Sequence, residues 1–276
     1  MLIVSRTNGN FISSIMNPTL KSSIQVADSQ LVENKRQRIM IFDVETTGLL
    51  PNKRDGVALA DLPHILQITF VIFDTQYWRV VKSVDLYINV AETVEIAHLI
   101  TELTGITREM CDKGVPIQKA MHEFYQEYMQ CDIFVAHNIN FDRQMVRIEM
   151  ERCIANGMVQ PDYSQVFNEE VMKQQQKSTF CTMRVGRNMC KIERTGKNGV
   201  YYKSPKLVEL YEHLFGMTPL GLHSSLVDTY VCLRCFVKIR YKFDLRMTAF
   251  PRMSFSPIAS SSTLPLDTLP LDTNSV

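Results

Sequence analysis

Residues 38–50 read RIMIFDVETTGLL, an apolar run that ends in carboxylates, threonines and a glycine. The run from Ile39 to Val44 is typical of a buried strand. Because the side chains of a strand alternate between its two faces, Asp43 and Glu45 point to the same side. Carboxylates at the end of an apolar strand repel each other and are costly to desolvate unless a cation lies between them. Ligands that are all oxygen favour Mg²⁺ or Mn²⁺ over zinc.

The letters Asp-Val-Glu also occur where a strand simply ends in solvent. Alone, they do not separate a metal site from a solvated strand end. The residues that follow, Thr46, Thr47 and Gly48, favour a site. Small residues and a glycine let backbone amides approach a substrate closely.

Beyond this strand, the pattern predicts a mixture of strands and helices. Residues 65–73 and 80–90 are β-rich, and the short DTQYW between them indicates an antiparallel hairpin. A short strand at 132–136 leads through polar residues into a periodic run, a strand–loop–helix unit of the kind that often carries catalytic residues. The other predicted elements are helices at 95–103, 117–129, 204–215 and 224–239, and a strand at 180–185. Ser204 is the predicted N-cap of the third helix in that series, and Gly216 its stop.

Two later segments add polar residues at such junctions. VAHNINFD places Asn138 in a loop and Asp142 at the start of the next helix, where either residue could be no more than a helix cap. HSSLVD places His223 before Asp228 at the beginning of the last helix. If His223 lies in the preceding loop, it can reach over a site to which the helix holds Asp228. A lone histidine is more often structural and a lone aspartate more often solvated, so neither segment decides the function by itself.

The charge of the chain is balanced overall but not locally. Lys and Arg number 30 against 29 Asp and Glu, so no whole-molecule field indicates a polyanionic partner. Residues 184–206, however, contain several Lys and Arg against the single acid Glu193, with Tyr201 and Tyr202 among them. Such a segment could grip phosphates and stack a base, or it could be an exposed hairpin whose charges are merely solvated. We favour backbone binding, with a turn at Asn198-Gly199.

The cysteines and the hydropathy predict an intracellular, soluble protein but do not identify a compartment. The 7 cysteines are odd in number and scattered, which argues against a disulfide framework and for reduced thiols in an intracellular protein. Cys232 and Cys235 form a CxxC inside an apolar helical run, so we expect them in the core rather than at a metal. No stretch approaches the roughly 20 apolar residues of a membrane span, so we expect a soluble protein with no membrane contact.

Composition divides the chain into three parts. Residues 1–37 are predicted to be a disordered N-terminal extension, and residues 38–245 a folded domain. Residues 246–276 are rich in Ser, Pro and Thr and repeat LPLDT, which predicts a disordered tail. The repeats could also be a docking peptide for a partner.

The order of the three segments is more specific than any one of them. A strand with DxE, then AHNxxFD, then HxxxxD is the motif series of the DEDDh family of 3′–5′ exonucleases, the DnaQ-like group, and residues 38–242 resemble that family. Further family-like segments are ILQI at 65–68, LTGIT at 103–107, CTM at 181–183 and SPKLVELYEHLFG at 204–216. A sister subfamily has a tyrosine where this chain has Ser224, so the histidine form is the one present.

The resemblance implies an α/β, ribonuclease H-like fold, with a five-stranded mixed sheet flanked by α-helices. It also implies two Mg²⁺ ions, for which Mn²⁺ can substitute. Asp43, Glu45 and Asp228 would hold one ion directly. Asp43 would share the second ion, and Asp142 would act partly through water. His223 would remove a proton from the attacking water.

The same resemblance assigns substrate contacts. Thr46, Thr47 and Gly48 match positions that meet the terminal nucleotide, and Asn138 is a supporting hydrogen-bonder. His137 is predicted to be structural. The expected activity is metal-dependent removal of nucleoside 5′-monophosphates from the 3′ end of a nucleic acid, with DNA favoured.

Two alternatives remain open at this point. One is a 3′–5′ exoribonuclease, because the motifs serve both substrates. The other is a nucleic-acid-binding module that has the fold but does no chemistry. The expected partners are nucleic acid 3′ ends, and a polymerase or another replication or repair protein.

Overall fold

The computed structural model describes residues 36–51, 56–219, 221 and 224–245, and the backbone of 255–257. The strands are β1 Arg38–Thr46, β2 Ile65–Asp74, β3 Arg79–Asn89, β4 Val115–Pro116, β5 Ile133–Ala136, β6 Ser178–Cys181, β7 Glu193–Gly196, β8 Gly199–Tyr202, β9 Met217–Pro219 and β10 Phe255–Pro257. The α-helices are α1 His98–Thr104, α2 Arg108–Asp112, α3 Ile117–Gln130, α4 Ile139–Ala155, α5 Glu169–Gln174, α6 Thr182–Cys190, α7 Leu207–Phe215 and α8 Ser225–Tyr241. Two short 3₁₀ helices lie at Leu59–Asp61 and Pro161–Gln165.

The main sheet is mixed and has six strands in the order β4-β3-β2-β1-β5-β6. Strands β2 and β3 are antiparallel neighbours, as the DTQYW hairpin predicted. Strand β1 is also antiparallel to β2, whereas β1, β5 and β6 run parallel. The predicted number of strands, five, is one short. The additional strand is β4, in which Val115–Pro116 pairs with Ile88–Asn89 at the edge of the sheet. A two-residue strand that contains proline has no detectable period and is confined to an edge.

The two faces of β1 belong to different parts of the core. Met40, Phe42 and Val44 lie in the larger apolar cluster, where the Phe42 ring meets that of Phe124 from α3. Residues Ile39 and Ile41 face the other way, in the cluster that includes side chains of α8. Because the period of a strand is two, the carboxylates at positions 43 and 45 continue the α8 face.

Helix α8 fills that second layer of core. Its residues Cys232 and Cys235 are both buried, and Cys232 packs against the β1 and β5 side chains. Cys235 belongs to a smaller cluster with α7. The CxxC pair is therefore core, as predicted, and burial raises the pKa of the Cys232 thiol above its ordinary value. A thiol that is held protonated is a poor metal ligand.

The prediction of a strand over 180–185 is right only for Phe180 and Cys181 and wrong for residues 182–185. Strand β6 ends at Cys181, and α6 begins at Thr182 with the Cys181 Sγ accepting a hydrogen bond from the Arg184 backbone N–H. Val185 and Met189, one helical turn apart, then pack against the cluster between α7 and α8. Local alternation favours a strand here, but burial of these side chains favours the helix.

The predicted N-cap of the next helix is wrong by two residues. Lys206 rather than Ser204 is the N-cap of α7, because the Glu209 carboxylate accepts the Lys206 backbone N–H at 2.7 Å. Gly216 ends the helix in the left-handed conformation, with φ of 65°. Left-handed backbone is the conformation in which glycine carries little steric cost, so this stop was predictable.

The predicted terminal segments lie mostly outside the described residues. Within the tail, the backbone of Phe255–Pro257 pairs antiparallel with Met217–Pro219.

None of the helices in the described part of the chain has the length and apolar character needed to cross a bilayer.

Candidate active site

The candidate site lies at the end of β1, where this strand extends beyond its parallel neighbour β5. Strand β5 pairs with β1 only as far as Ile41 and ends at Ala136. Beyond that point β1 keeps its partner β2 on one side, where Asp43 stands opposite Thr69. A register irregularity lies between Glu45 and Thr46, and β1 ends at Thr46. The last carboxylates of β1 are thereby placed at an open edge next to α4 and α8.

The first turn of α8 holds Asp43. The Ser225 hydroxyl, which is fully buried, donates a hydrogen bond of 2.9 Å to the Asp43 carboxylate. Burial raises the pKa of Asp43 to about 6, and the Ser225 hydrogen bond opposes that rise. Ser225 was missed by sequence reasoning, although it lies inside the HSSLVD segment. Its buried position in the first turn of the helix becomes visible only when α8 is packed on β1.

Asp142 reaches the same strand end from the other side. It lies in the first turn of α4, is buried, and accepts a hydrogen bond from the Val44 backbone N–H. Burial, and then the charge of Asp43, raise its pKa well above the ordinary value. A simple capping aspartate would be solvated, so the cap interpretation does not describe this side chain.

Glu45 and Asp228 complete the acidic group. Burial, and then the charges of Asp43 and Asp228, raise the pKa of Glu45 to about 8. Asp228 lies in the first turn of α8, where its backbone N–H donates to the Ser224 carbonyl. The structure therefore brings together the four carboxylates predicted from the sequence. It also confirms that Asp43 and Glu45 share a face.

The composition of this group suits a divalent cation. Among the described residues, no lysine or arginine contributes to the pKa shifts of Asp43, Glu45 or Asp142. Repulsion between buried carboxylates without a basic partner is the situation that a bound cation relieves. The described side chains do not already form a closed group of three or more ligands that could hold an ion. The four carboxylates are thus close enough to influence one another's pKa values, but they do not form a complete coordination shell among the described residues.

The predicted nucleotide-contacting residues lie beside the carboxylates. The Thr46 hydroxyl donates to the Gly48 carbonyl at 2.7 Å, and the Thr47 hydroxyl accepts from the His64 backbone N–H at 3.0 Å. Thr47 and Gly48 line a cavity of about 780 Å³, and none of Asp43, Glu45, Asp142 and Asp228 lines it. Space around the α-carbon of Gly48 is open, so its backbone is accessible. Asn138 is exposed, with φ of 78° and no capping bond from its side chain.

A buried ion pair supports the loop opposite Thr47. Arg152 pairs with Glu149 at 2.8 Å and also donates to the carbonyls of Leu59, Leu62 and Pro63. Burial, and then the charge of Arg152, lower the pKa of His64 to about 4. This network was missed because Glu149 and Arg152 look like ordinary surface residues of a helix. Only the folded chain shows that they satisfy the backbone of a loop that is distant in sequence.

His137 has the structural role predicted for it. Its ring Nε2 donates to the Pro205 carbonyl at 3.1 Å, and Nδ1 accepts from the Thr182 hydroxyl at 3.0 Å. Burial lowers the pKa of His137 to about 4, so the ring stays neutral near pH 7. His223 lies outside the described residues, and its catalytic role stays a prediction.

Comparisons with known proteins bear on the whole domain. The exonuclease family RNase_T matches residues 40–236. The 3′-5′ exonuclease DinG of Bacillus subtilis is 32% identical over 127 residues, and the PolC-type DNA polymerase III of Streptococcus sanguinis is 30% identical over 122 residues. These matches cover 46% and 44% of this chain but only 12% and 7% of the relatives' length.

Solved structures share the fold. Exonuclease I of E. coli, in complex with an oligonucleotide, gives a TM-score of 0.52 at 16% identity and covers 75% of this chain and 41% of its own. A 3′-exonuclease solved with a histone mRNA stem-loop gives 0.53 at 14% identity, covering 89% and 80%. A zinc-bound form of the E. coli enzyme with single-stranded DNA also gives 0.53. At such identities the likeness shows the ribonuclease H-like fold alone.

Proposed function

Because this chain belongs to the exonuclease family RNase_T, we propose that it is a metal-dependent 3′–5′ exonuclease that releases nucleoside 5′-monophosphates one at a time. The observation that carries the proposal is the convergence of four carboxylates at the end of β1. Burial raises the pKa values of Asp43, Glu45 and Asp142, and none of the three has a basic partner among the described residues. Asp142 is buried, and Asp43 and Glu45 are partly buried. Keeping such a group is costly for a protein that has no cation to bind.

Divalent cations are generally needed by this family, and the donor set here suits them. We assign two Mg²⁺ ions, replaceable by Mn²⁺, to Asp43, Glu45, Asp142 and Asp228. When bound, such ions stabilise the developing charge on the attacking and the leaving oxygen. All-oxygen ligands of this kind favour these hard cations over zinc.

The residues of the chain position the substrate and move the proton. Asp43 is oriented by Ser225, and Asp142 by the Val44 backbone, so both carboxylates are held before substrate arrives. His223 accepts a proton from the attacking water, whose oxygen bonds to phosphorus. The bond from phosphorus to the 3′-oxygen then breaks, and that oxygen takes up a proton. Thr46, Thr47 and Gly48, with Asn138, contact the terminal nucleotide.

The names of the relatives favour DNA as the substrate. The PolC-type relatives are DNA polymerases, which also makes a polymerase or another replication protein the candidate partner. RNA is the second candidate substrate, since the carboxylates act on the phosphodiester and not on the sugar. A binding module without chemistry is disfavoured, because binding alone does not need four converging acids.

The proposal is tested by digestion of matched single-stranded DNA and RNA oligomers carrying a 5′ label. With Mg²⁺ we expect a ladder that shortens from the 3′ end, and none with EDTA. A parallel substrate with a 3′ label should release its label at once as a mononucleotide. An endonuclease would release longer fragments instead, and a pure binder would retain both oligomers at full length. Either result would overturn the proposed function, while the relative rates choose between DNA and RNA.

Metal binding should depend on pH in a direction set by the raised pKa values. A carboxyl whose pKa is raised in the folded state stabilises the fold when protonated, and that stabilisation is lost as pH rises through about 6 for Asp43 and about 8 for Glu45. Mg²⁺ must displace those protons, so its affinity should rise about tenfold per pH unit for each proton displaced. We therefore expect the Mg²⁺-induced increase in melting temperature to grow between pH 6 and pH 8, relative to EDTA.

Glu45→Gln is the matched control for that titration. Without the Glu45 carboxyl, the Mg²⁺-induced rise in melting temperature should no longer grow between pH 7 and pH 8. Its growth near pH 6, which depends on Asp43, should remain. A Mg²⁺ effect that is the same at all these pH values would contradict the assignment of the metal to these carboxylates.

A further inference from the structure

The β7–β8 hairpin stands out from the rest of the domain by its exposure. Every side chain of both strands is exposed, including Val200, Tyr201 and Tyr202. The hairpin contributes no residue to the apolar clusters of the described chain. A two-stranded hairpin that packs on nothing gains little stability from its own contacts. Its exposed side chains therefore need another explanation than packing.

Basic side chains lie both on helix α6, which precedes the hairpin, and on the hairpin itself. Arg184, Arg187 and Lys191 are exposed and recur at helical spacing on α6 and its C-cap, and Arg194 and Lys197 follow in the hairpin. Within the described residues, none of these five forms an ion pair. Lys203 differs from them, because its ammonium group bonds to the Glu209 carboxylate at 2.5 Å. The sequence does not distinguish Lys203 from the five basic residues that are unpaired within the described chain, whereas the structure shows that its charge is already paired with Glu209.

The strand register sorts the hairpin side chains into two faces. Arg194 pairs with Tyr201, and Glu193 pairs with Tyr202. Directly paired residues lie on the same face of a sheet, and successive residues alternate. One face therefore carries Arg194 and Tyr201, which we call the cationic face. The opposite face carries the acid Glu193 with Tyr202.

Glycines leave the Tyr201 ring uncovered on the cationic face. Gly196 and Gly199 pair with each other and lie on the same side as Tyr201. A β-carbon added at Gly196 would come within 3.1 Å of the Tyr201 ring, which shows that the ring lies over this glycine. With half of its surface exposed, Tyr201 offers an aromatic plane beside a guanidinium group. That combination suits an unpaired base and its phosphate.

The segment from Thr182 to Pro205, which contains α6 and the hairpin, is attached at both ends to the candidate active site. His137, next to Asn138, bonds to Thr182 at the start of α6 and to Pro205 just after β8. The neutral His137 ring thus joins both ends of this segment to the loop that precedes Asp142. Helix α6 is about 13 Å long at 1.5 Å per residue, and each hairpin strand is about 13 Å long. The cationic residues are distributed along these two elements.

We propose that the cationic face of the β7–β8 hairpin holds a single strand of nucleic acid upstream of the 3′ end that lies at the carboxylates. This inference rests on the proposed function for the identity of the end, but the binding itself needs no hydrolysis. Arg194 contacts a backbone phosphate, and Tyr201 stacks on an unpaired base. Arg184, Arg187 and Lys191 contact phosphates between the hairpin and the site.

The test is binding of 5′-labelled single-stranded DNA and RNA 20-mers in EDTA, measured by fluorescence anisotropy over a series of salt concentrations. Tyr201→Ala should weaken binding at least about fivefold, as loss of one stacked base does. Arg194→Gln should weaken binding and lower the salt dependence by about 0.7 in the log–log slope, as loss of one phosphate contact does on a single strand. Tyr202→Ala, on the opposite face, is the matched control and should bind like the unaltered protein.

Activity gives a second readout on the same variants. With Mg²⁺, Tyr201→Ala and Arg194→Gln should raise KM for the 20-mers far more than they lower kcat, because neither residue touches the reacting atoms. All substituted side chains are exposed, so melting temperatures should be unchanged.

The outcomes separate this inference from the proposed function. Equal losses of binding affinity for Tyr201→Ala and Tyr202→Ala would overturn the assignment of the face. Unchanged affinity in both Tyr201→Ala and Arg194→Gln would overturn the binding role of the hairpin, even if hydrolysis is normal. Weaker binding in these two variants of a protein that shortens no oligomer would uphold the hairpin as a binding arm. In that case only the proposed function fails.

Discussion

Replacing Asp43 with asparagine is expected to abolish exonuclease activity, with a loss of about 10³-fold or more in kcat. Metal ions supply several kcal/mol of transition-state stabilisation, and each 1.36 kcal/mol is a factor of ten in rate. Asparagine has nearly the same shape and can still accept the Ser225 hydrogen bond. The substitution therefore removes charge rather than packing. Single-turnover digestion of a 5′-labelled oligomer with saturating Mg²⁺ measures the effect.

The same variant should become more stable in the absence of metal. Burial raises the pKa of Asp43 to about 6, so at pH 8 its ionised carboxylate destabilises the metal-free fold. Removing the charge should raise the melting temperature in EDTA by about 2–4 °C per kcal/mol relieved, and should abolish most of the increase produced by Mg²⁺. A structural aspartate would show the reverse, a lower melting temperature.

Asp162→Asn is a matched control for this experiment. Asp162 also accepts a hydroxyl hydrogen bond, from Tyr125 at 2.7 Å, but lies outside the acidic group. It should retain exonuclease activity and its response to Mg²⁺. Full activity in Asp43→Asn would contradict the assignment of the metal site.

Replacing His223 with asparagine is expected to lower kcat by about 10²- to 10⁴-fold, the usual contribution of a positioned general base. The protein should still bind Mg²⁺ and oligonucleotide, because His223 is not among the proposed metal ligands. With saturating Mg²⁺, the unaltered protein should show a rate that rises with pH through about 6.5, the ordinary histidine value. The variant should lose that rise.

Other histidines are poor candidates for the same titration. The partly buried His64 and His137 have pKa values lowered to about 4, so they stay neutral over this pH range. His213, exposed on α7, is the matched control, and His213→Asn should keep both the rate and its pH dependence. A rise near pH 6.5 that persists in His223→Asn would assign the general base to another group.

The sequence alone was sufficient for features that depend on local spacing. Strand alternation placed Asp43 and Glu45 on one face, and the DTQYW turn predicted the pairing of β2 with β3. Gly216 ended its helix because left-handed backbone favours glycine. These features follow from the backbone geometry of a few neighbouring residues, which the amino-acid order specifies directly.

The sequence was insufficient where distant packing outweighs local preference. Residues 182–185 alternate like a strand, yet packing of the partly buried Val185 against the cluster of α7 and α8 favours a helix. The sixth strand, Val115–Pro116, exists only because β3 offers it an edge. Local periodicity cannot report either contact, since the partner lies far away in the chain.

Sequence motifs named the four carboxylates, but only the tertiary structure decided how they meet. Asp142 reaches Asp43 because β5 stops short and leaves the Val44 N–H for the first turn of α4. Ser225 orients Asp43 across a gap of 182 residues in the sequence. In the hairpin, likewise, composition could not separate Tyr201 from Tyr202, whereas the strand register places them on opposite faces. Residue type sets which chemistry is possible, and long-range packing sets the distances and charges that make it act at one place.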